Sequence, residues 1–137
     1  MPVSSADREA LQTVMLNYAA AVDERDRARY ASCFCDDVEV IGFGTGVYHG
    51  LDNWVEYVFG ALEKYSASQH LLGPMLIELD GDIADTRSDF QATHFLKGDE
   101  PGPLVLWATY KTRMRREGAL WPICRHELEA RGSKHFQ

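Results

Sequence analysis

Asp80-Gly-Asp-Ile-Ala-Asp-Thr-Arg-Ser-Asp-Phe-Gln-Ala-Thr-His-Phe95 is the stretch on which the fold turns. It opens on an Asp-Gly pair, a strong hairpin signal, and then alternates without interruption. Ala84, Thr86, Ser88, Phe90, Ala92 and His94 fall on one face, while Asp85, Arg87, Asp89 and Gln91 fall on the other. Side chains along a strand point to opposite faces with a period of two, so this pattern describes a strand half buried against a core. His94 shares the inward face with small and apolar neighbours, which makes it conspicuous.

Three more runs read as strands, at about Ser68–Leu79, Leu104–Arg116 and Ala119–Leu128. Asp80-Gly81-Asp82 and Arg116-Glu117-Gly118 are hairpin signals, and Gly98 to Pro103 is a longer loop rich in Gly and Pro. Turns of hairpin length cannot make a parallel crossover, so the runs form an antiparallel meander. Upstream, Val38–Phe43 leads through the glycine turn at Gly44–Gly46 into a short return strand at Val47 and Tyr48.

Helices precede the meander. Ser4 or Ser5 caps a first helix, in which Leu11, Val14, Met15, Tyr18 and Val22 recur at helical spacing to about Val22. Asp26 restarts a short second helix with Tyr30, Ala31 and Phe34 on one face. A third, Asp52 to Tyr65, carries Trp54, Val55, Val58, Leu62 and Tyr65 as its apolar stripe. Strands and helices do not alternate, which excludes a doubly wound parallel sheet. The expectation is an α+β cone: a curved antiparallel sheet whose concave face is closed by helices around a pocket, with residues 1–137 as one domain.

Composition sets the outer bounds. A chain of 137 residues with 45% apolar content builds one core without a disulfide or metal staple. The net charge of −7 argues against nucleic acid, and the basic cluster Lys111, Arg113, Arg115 and Arg116 alternates as a solvated outer face does. No run approaches the roughly 20 apolar residues that span a bilayer, and Met1 to Arg8 lacks the apolar segment of a secretory signal. Cys33, Cys35 and Cys124 are odd in number and read as core packing in a reducing compartment, so the expected location is the cytoplasm. Neither a zinc-like ligand spacing nor a glycine-rich phosphate loop is present, so no metal and no cofactor is expected.

Three histidines then stand out: His94, His126 (inward with Leu120, Cys124 and Leu128), and His70 at the head of His70-Leu-Leu. One inward histidine is ordinarily a satisfied core residue. Three in one concavity, with Asp23 at a helix C-terminus where the dipole disfavours a carboxylate, point to a site. Tyr48, Trp54, Phe90, Trp107 and Leu128 are candidates for its apolar wall, joined by His126.

Tyr18-Ala-Ala-Ala-Val-Asp23-Glu-Arg-Asp26, Phe34-Cys-Asp36-Asp37-Val38, Tyr48-His-Gly50, His70 through Asp82 and Tyr110 through Trp121 occur in the order and spacing of a known family. From about residue 6 to 128 the chain resembles the NTF2-like superfamily, specifically its SnoaL-like branch. That branch contains the scytalone dehydratase, hexachlorocyclohexane dehydrochlorinase and bile-acid 7α-dehydratase families. The resemblance implies that Asp23 and His70 form an orienting carboxylate and a general base. It implies a phenol at Tyr18 that polarises a carbonyl or leaving group, and a second histidine at His94. Where many relatives carry an inward Arg on the last strand, this chain has His126, so a titratable group replaces a fixed charge. Relatives associate through the convex sheet face or the last strands, which implies a homo-oligomer, dimer or trimer. The function expected is a cofactor-independent lyase or isomerase, dehydratase-like, acting on a small, largely apolar, cyclic substrate. The alternative is a small-molecule-binding module or accessory subunit without chemistry of its own, because one fold hosts many functions.

Overall fold

The computed structural model describes residues 2–98 and 102–137, so residues 99–101 of the expected Gly98–Pro103 loop lie outside the described residues. The element order is α1 (Ser5–Glu24), α2 (Arg27–Ala31), β1 (Phe34–Ile41), β2 (Val47–His49), α3 (Leu51–Leu62), β3 (Tyr65–Asp80), β4 (Ile83–Leu96), β5 (Pro103–Arg115) and β6 (Ile123–His135). All six strands form one curved, unclosed sheet in the order β2-β1-β6-β5-β4-β3. From β3 to β6 every neighbouring pair is antiparallel. Through Phe34↔Ile123 and Glu39↔Arg125, β1 joins β6 in parallel, a long-range pairing that local turn signals do not announce.

The helix starts follow from their caps. Ser4 Oγ accepts the Asp7 amide at 3.1 Å, and Asp26 Oδ1 accepts the Arg29 amide at 3.1 Å. Arg25 terminates α1 in the left-handed region at φ 59°. Leu62, not Tyr65, is the last residue of α3, because Tyr65 already pairs with Leu96 at the head of β3. β1 starts earlier than expected, at Phe34, and stops at Ile41. The stop is Gly42, at φ +89° with its α-carbon against the Leu128 backbone carbonyl, where no side chain fits.

Two bulges in β6 alter the expected facing. Arg113 pairs with Arg125 and Met114 with Ile123, which leaves Cys124 as the extra residue. Ile123 is therefore the buried one; Cys124 is only partly covered, and Leu120 lies in the preceding loop with 71% exposure. Below the bulge the parity is restored, and His126 points inward as expected. A second bulge, at Arg131, lets β6 run on to His135, which pairs with Leu104 instead of ending in a loose tail. In β3, Gly73 and Pro74 together oppose Asp89, a further bulge on an edge strand.

The core lies between the concave sheet face and the helices. Against β3 packs α1, and α3 covers β1 and β2. Leu11, Met15, Tyr30, Trp54, Met114, Trp121 and Ile123 are essentially inaccessible. Each apolar side chain of this kind contributes roughly 1.5–3 kcal/mol by leaving water.

Candidate active site

The end of α1 and the start of β3 build one corner of the concavity. Asp23 sits in the last turn of α1, where unpaired carbonyls make a carboxylate unwelcome. The structure compensates locally. His70 donates its Nδ1–H to Asp23 Oδ1 at 2.8 Å and its backbone N–H to Oδ2 at 2.8 Å. Ser68 Oγ donates to Oδ1 at 3.1 Å. Arg25 Nη1 donates to both the Val22 carbonyl at 2.6 Å and Ser68 Oγ at 2.8 Å, which places a cation over the helix end. Burial works to raise the Asp23 carboxyl, but the hydrogen bonds from the His70 ring and backbone outweigh it and hold it below its usual value. A carboxylate partner fixes the tautomer with the proton on Nδ1, so Nε2 carries the lone pair. The His70 ring forms part of the cavity wall and makes no Nε2 hydrogen bond to a described residue.

The cavity holds about 150 Å³. Tyr18 and Val22 of α1, Tyr30 of α2 and Phe43 of the β1–β2 loop form one side. Val58 and Leu62 of α3 cover it. Sheet residues Phe90, Ala92 and His94 of β4, Leu106 and Tyr110 of β5, and Leu128 of β6 complete it beside His70. A void of this size takes a molecule no larger than a single benzene-like ring without rearrangement.

His94 stands edge-on to His70 with ring centroids 5.6 Å apart, and against Tyr65 at 4.6 Å. Burial, then the neighbouring His70 and Arg25, push its imidazole down to about 4, so it is neutral in ordinary buffer. Tyr18 Oη lies 2.9 Å from His126 Nε2. His126 is fully inaccessible, and burial pushes it down to about 3. Burial holds the phenols of Tyr18, Tyr30 and Tyr110 protonated, well above their ordinary range.

The structure thus brings His70, His94, Tyr18, Phe90 and Leu128 around one void, with Asp23 bonded to His70. Four expected wall residues are placed elsewhere. His126 lies behind Tyr18 and does not reach the cavity. Trp54 is wholly buried behind Tyr30, to which its Nε1 donates at 3.1 Å. Tyr48 packs on Tyr57, ring centroids 4.3 Å apart, in a layer outside Trp54. Trp107 is on the opposite sheet face, 38% exposed and donating to Gln91 Oε1 at 3.1 Å. It shares the parity of Lys111 and Arg113, so alternation alone puts it outside; Leu106 takes the inward place. Tyr30, Tyr110 and Phe43 are wall residues that the sequence reading missed. Strand parity marks Tyr110 as inward, whereas nothing local distinguishes Phe43 in its glycine-rich loop. Among the described residues no group of three or more His, Cys, Asp or Glu is arranged to hold a metal. Burial pushes the Cys33 and Cys35 thiols up to about 11, which suits packing rather than reactivity.

Comparison with known proteins places the fold. An uncharacterized protein of Mycobacterium tuberculosis is 29% identical over 125 residues, covering 88% of this chain and 82% of its own length. Among solved structures, a protein provisionally called a scytalone dehydratase from Novosphingobium aromaticivorans superposes with a TM-score of 0.86 at 20% identity, over 94% of this chain and 87% of that one. Hexachlorocyclohexane dehydrochlorinase type 3 from Novosphingobium barchaimii gives 0.85 at 20% identity, over 96% and 90%. A protein provisionally called an aromatic ring hydroxylase from N. aromaticivorans gives 0.89 at 21% identity, over 98% and 96%. At these identities the structural likeness establishes the fold and leaves the chemistry to the site. The family model for the SnoaL-like domain matches residues 3–127, and the chain belongs to that family.

Proposed function

We propose that the protein is a cofactor-independent lyase or isomerase of the dehydratase type, acting on a small, largely apolar, cyclic substrate with His70 as general base. The observation that carries this reading is the 2.8 Å bond between His70 Nδ1 and Asp23 Oδ1, with the same ring on the wall of a largely apolar cavity. His70 Nε2 takes a proton from carbon, and the Asp23 carboxylate stabilises the imidazolium that forms. Tyr18 and His94 are neutral under working conditions, so each assists as a hydrogen-bonding group and neither as an ion. Phe90 and Leu128 hold the ring of the substrate. The working unit is the whole chain as one domain, in a cytoplasmic homo-oligomer.

The test is deuterium uptake from D2O beside the carbonyl of small cyclic ketones, together with loss of water from cyclic hydroxyketones. His70→Gln keeps a hydrogen bond but cannot accept the proton, so both rates fall by about 10²- to 10⁴-fold. A folded His70→Gln protein with full activity would move the base elsewhere. Ligand binding by the native protein with no exchange and no elimination would favour the non-catalytic binding module.

A further inference from the structure

Among the described residues, Arg25 is the one residue other than glycine with a left-handed backbone, at φ 59° and ψ 38°. A bulky L side chain is out of place there, and helices that close this way usually carry Gly at the position. The cap itself asks for no side chain. The backbone amides of Arg25 and Asp26 already bond the Val22 and Ala21 carbonyls, at 3.2 Å and 2.8 Å. The guanidinium is no better placed by ordinary standards, since its Nη2 is buried without a partner among the described residues. Nη1 makes both side-chain bonds, to the Val22 carbonyl on α1 at 2.6 Å and to Ser68 Oγ on β3 at 2.8 Å. Strained backbone and an unused buried donor both cost stability, and outliers of this kind gather where function requires them.

Ser68 and His70 are two apart in a regular stretch of β3 and so share a face, while Asp23 and Arg25 are two apart at the end of α1. The two elements are therefore joined twice, by Asp23 with His70 and by Arg25 with Ser68. Ser68 Oγ links these rungs through its 3.1 Å bond to Asp23 Oδ1. Chemistry fixes the bond directions. A guanidinium only donates, so Ser68 accepts from it; a carboxylate only accepts, so the single hydroxyl proton of Ser68 goes to Asp23. Without Arg25 the Ser68 hydroxyl is free to turn, and Oδ1 is left with the imidazole alone. Resting on the His70 reading above, we propose that Arg25 is a positioning residue for the His70–Asp23 pair, acting through Ser68 to hold the carboxylate against Nδ1 and so keep the Nε2 lone pair on the cavity wall. The guanidinium does not line the cavity and meets no substrate. After burial and His70, its charge is a further cause that keeps the His94 imidazole neutral.

The first readout is the His70 Nδ1–H itself, in proton and nitrogen-15 spectra of the native protein. Arg25→Gly relieves the left-handed strain, so it melts within about 4 °C of the native protein. Its Nδ1–H nevertheless exchanges with water about three- to tenfold faster. Deuterium uptake from D2O into cyclohexanone slows by about the same factor, with KM unchanged. Ser68→Ala gives the same losses, and combining it with Arg25→Gly adds nothing further, because the two residues act in series. Arg25→Lys, which keeps a cationic donor on a shorter reach, recovers part of both signals. Native Nδ1–H exchange in Arg25→Gly, or losses that multiply in the double variant, overturns the proposal. Collapse of the fold in Arg25→Gly makes the residue a structural clasp and overturns it as well. The base is read separately. If the Nδ1–H signature appears while His70→Gln takes up deuterium as fast as the native protein, the base assignment fails and Arg25 still orients the ring. If His70→Gln abolishes uptake while Arg25→Gly leaves both signals untouched, the positioning role fails alone. A native proton on His70 Nε2 overturns both.

Discussion

His70 and His126 both belong to the sheet, one on the cavity wall and one buried behind it, and live in opposite settings. His70 lies in β3, held on one nitrogen by a carboxylate that is itself bonded by Ser68 and by backbone. His126 lies fully covered on β6 among aromatic rings, hydrogen-bonded to the Tyr18 phenol on one nitrogen alone. The first ring has a carboxylate, Asp23, 2.8 Å from its Nδ1. The second cannot become an imidazolium, because nothing near it compensates for lost water. On the proposed reading, what separates the base from a structural dipole is the neighbour, not the residue type.

The sharpest way to break this contrast is kinetic. His70→Gln is expected to lose about 10²- to 10⁴-fold in turnover, and a smaller loss than tenfold would erase the difference between the two rings. Asp23→Asn comes next. The imidazole remains but loses its orienting charge, so activity falls by more than tenfold yet stays above that of His70→Gln. The same variant has a signature in stability. The Asp23 carboxyl is lowered on folding, so its contribution is present above the unfolded value of about 3.9 and is lost as pH falls through the folded one. Thermal melts of Asp23→Asn should therefore show a shallower acid limb.

Acid melts also probe His126, with a moderate effect. Its folded value is lowered from 6.5 to about 3, so the unfolded chain binds the proton that the native one refuses. Stability is complete above about 6.5 and declines as pH drops, by up to about 1.4 kcal/mol per pH unit for such a group. His94, lowered to about 4, adds to the same limb. His126→Leu should melt with a flatter dependence between pH 6 and 4, and an unchanged slope would mean that His126 is not buried neutral. The smallest effect is reserved for Trp107→Ala. With Trp107 on the outer sheet face, turnover should change by less than about twofold, whereas a large loss would return the residue to the substrate wall.

Much of this is legible in the sequence. Turn chemistry and period-two alternation located β3, β4 and β5 to within a few residues, and the family spacing brought Asp23 to His70 across the chain. Sequence reading failed where the ladder breaks its own period. The extra residue at Cys124 exchanges the faces of Ile123 and Cys124, and no local signal marks a bulge there. Trp107 lies outside for a different reason: its strand parity, shared with Lys111 and Arg113, decides its face against its aromatic character. In the sequence Tyr30 reads as part of an apolar helix face, and only the indole of Trp54, 24 residues away in the chain, makes its oxygen a buried hydrogen-bond acceptor. Such pairings between distant segments are invisible to any windowed reading.

The Gly73-Pro74 bulge has a bearing on how copies of the chain meet. As the outermost member of the sheet beyond β4, β3 presents a free flank. Strands of this length ordinarily invite a stranger's strand to zip alongside. Pro74 has no N–H to offer such a visitor, and the bulge opposite Asp89 bends the flank out of line near its middle. Continuous cross-chain zippering along β3 is thereby interrupted, and fibrous growth from that side has no straight template. Self-association is left to surfaces whose side chains, rather than whose backbone, decide the partner.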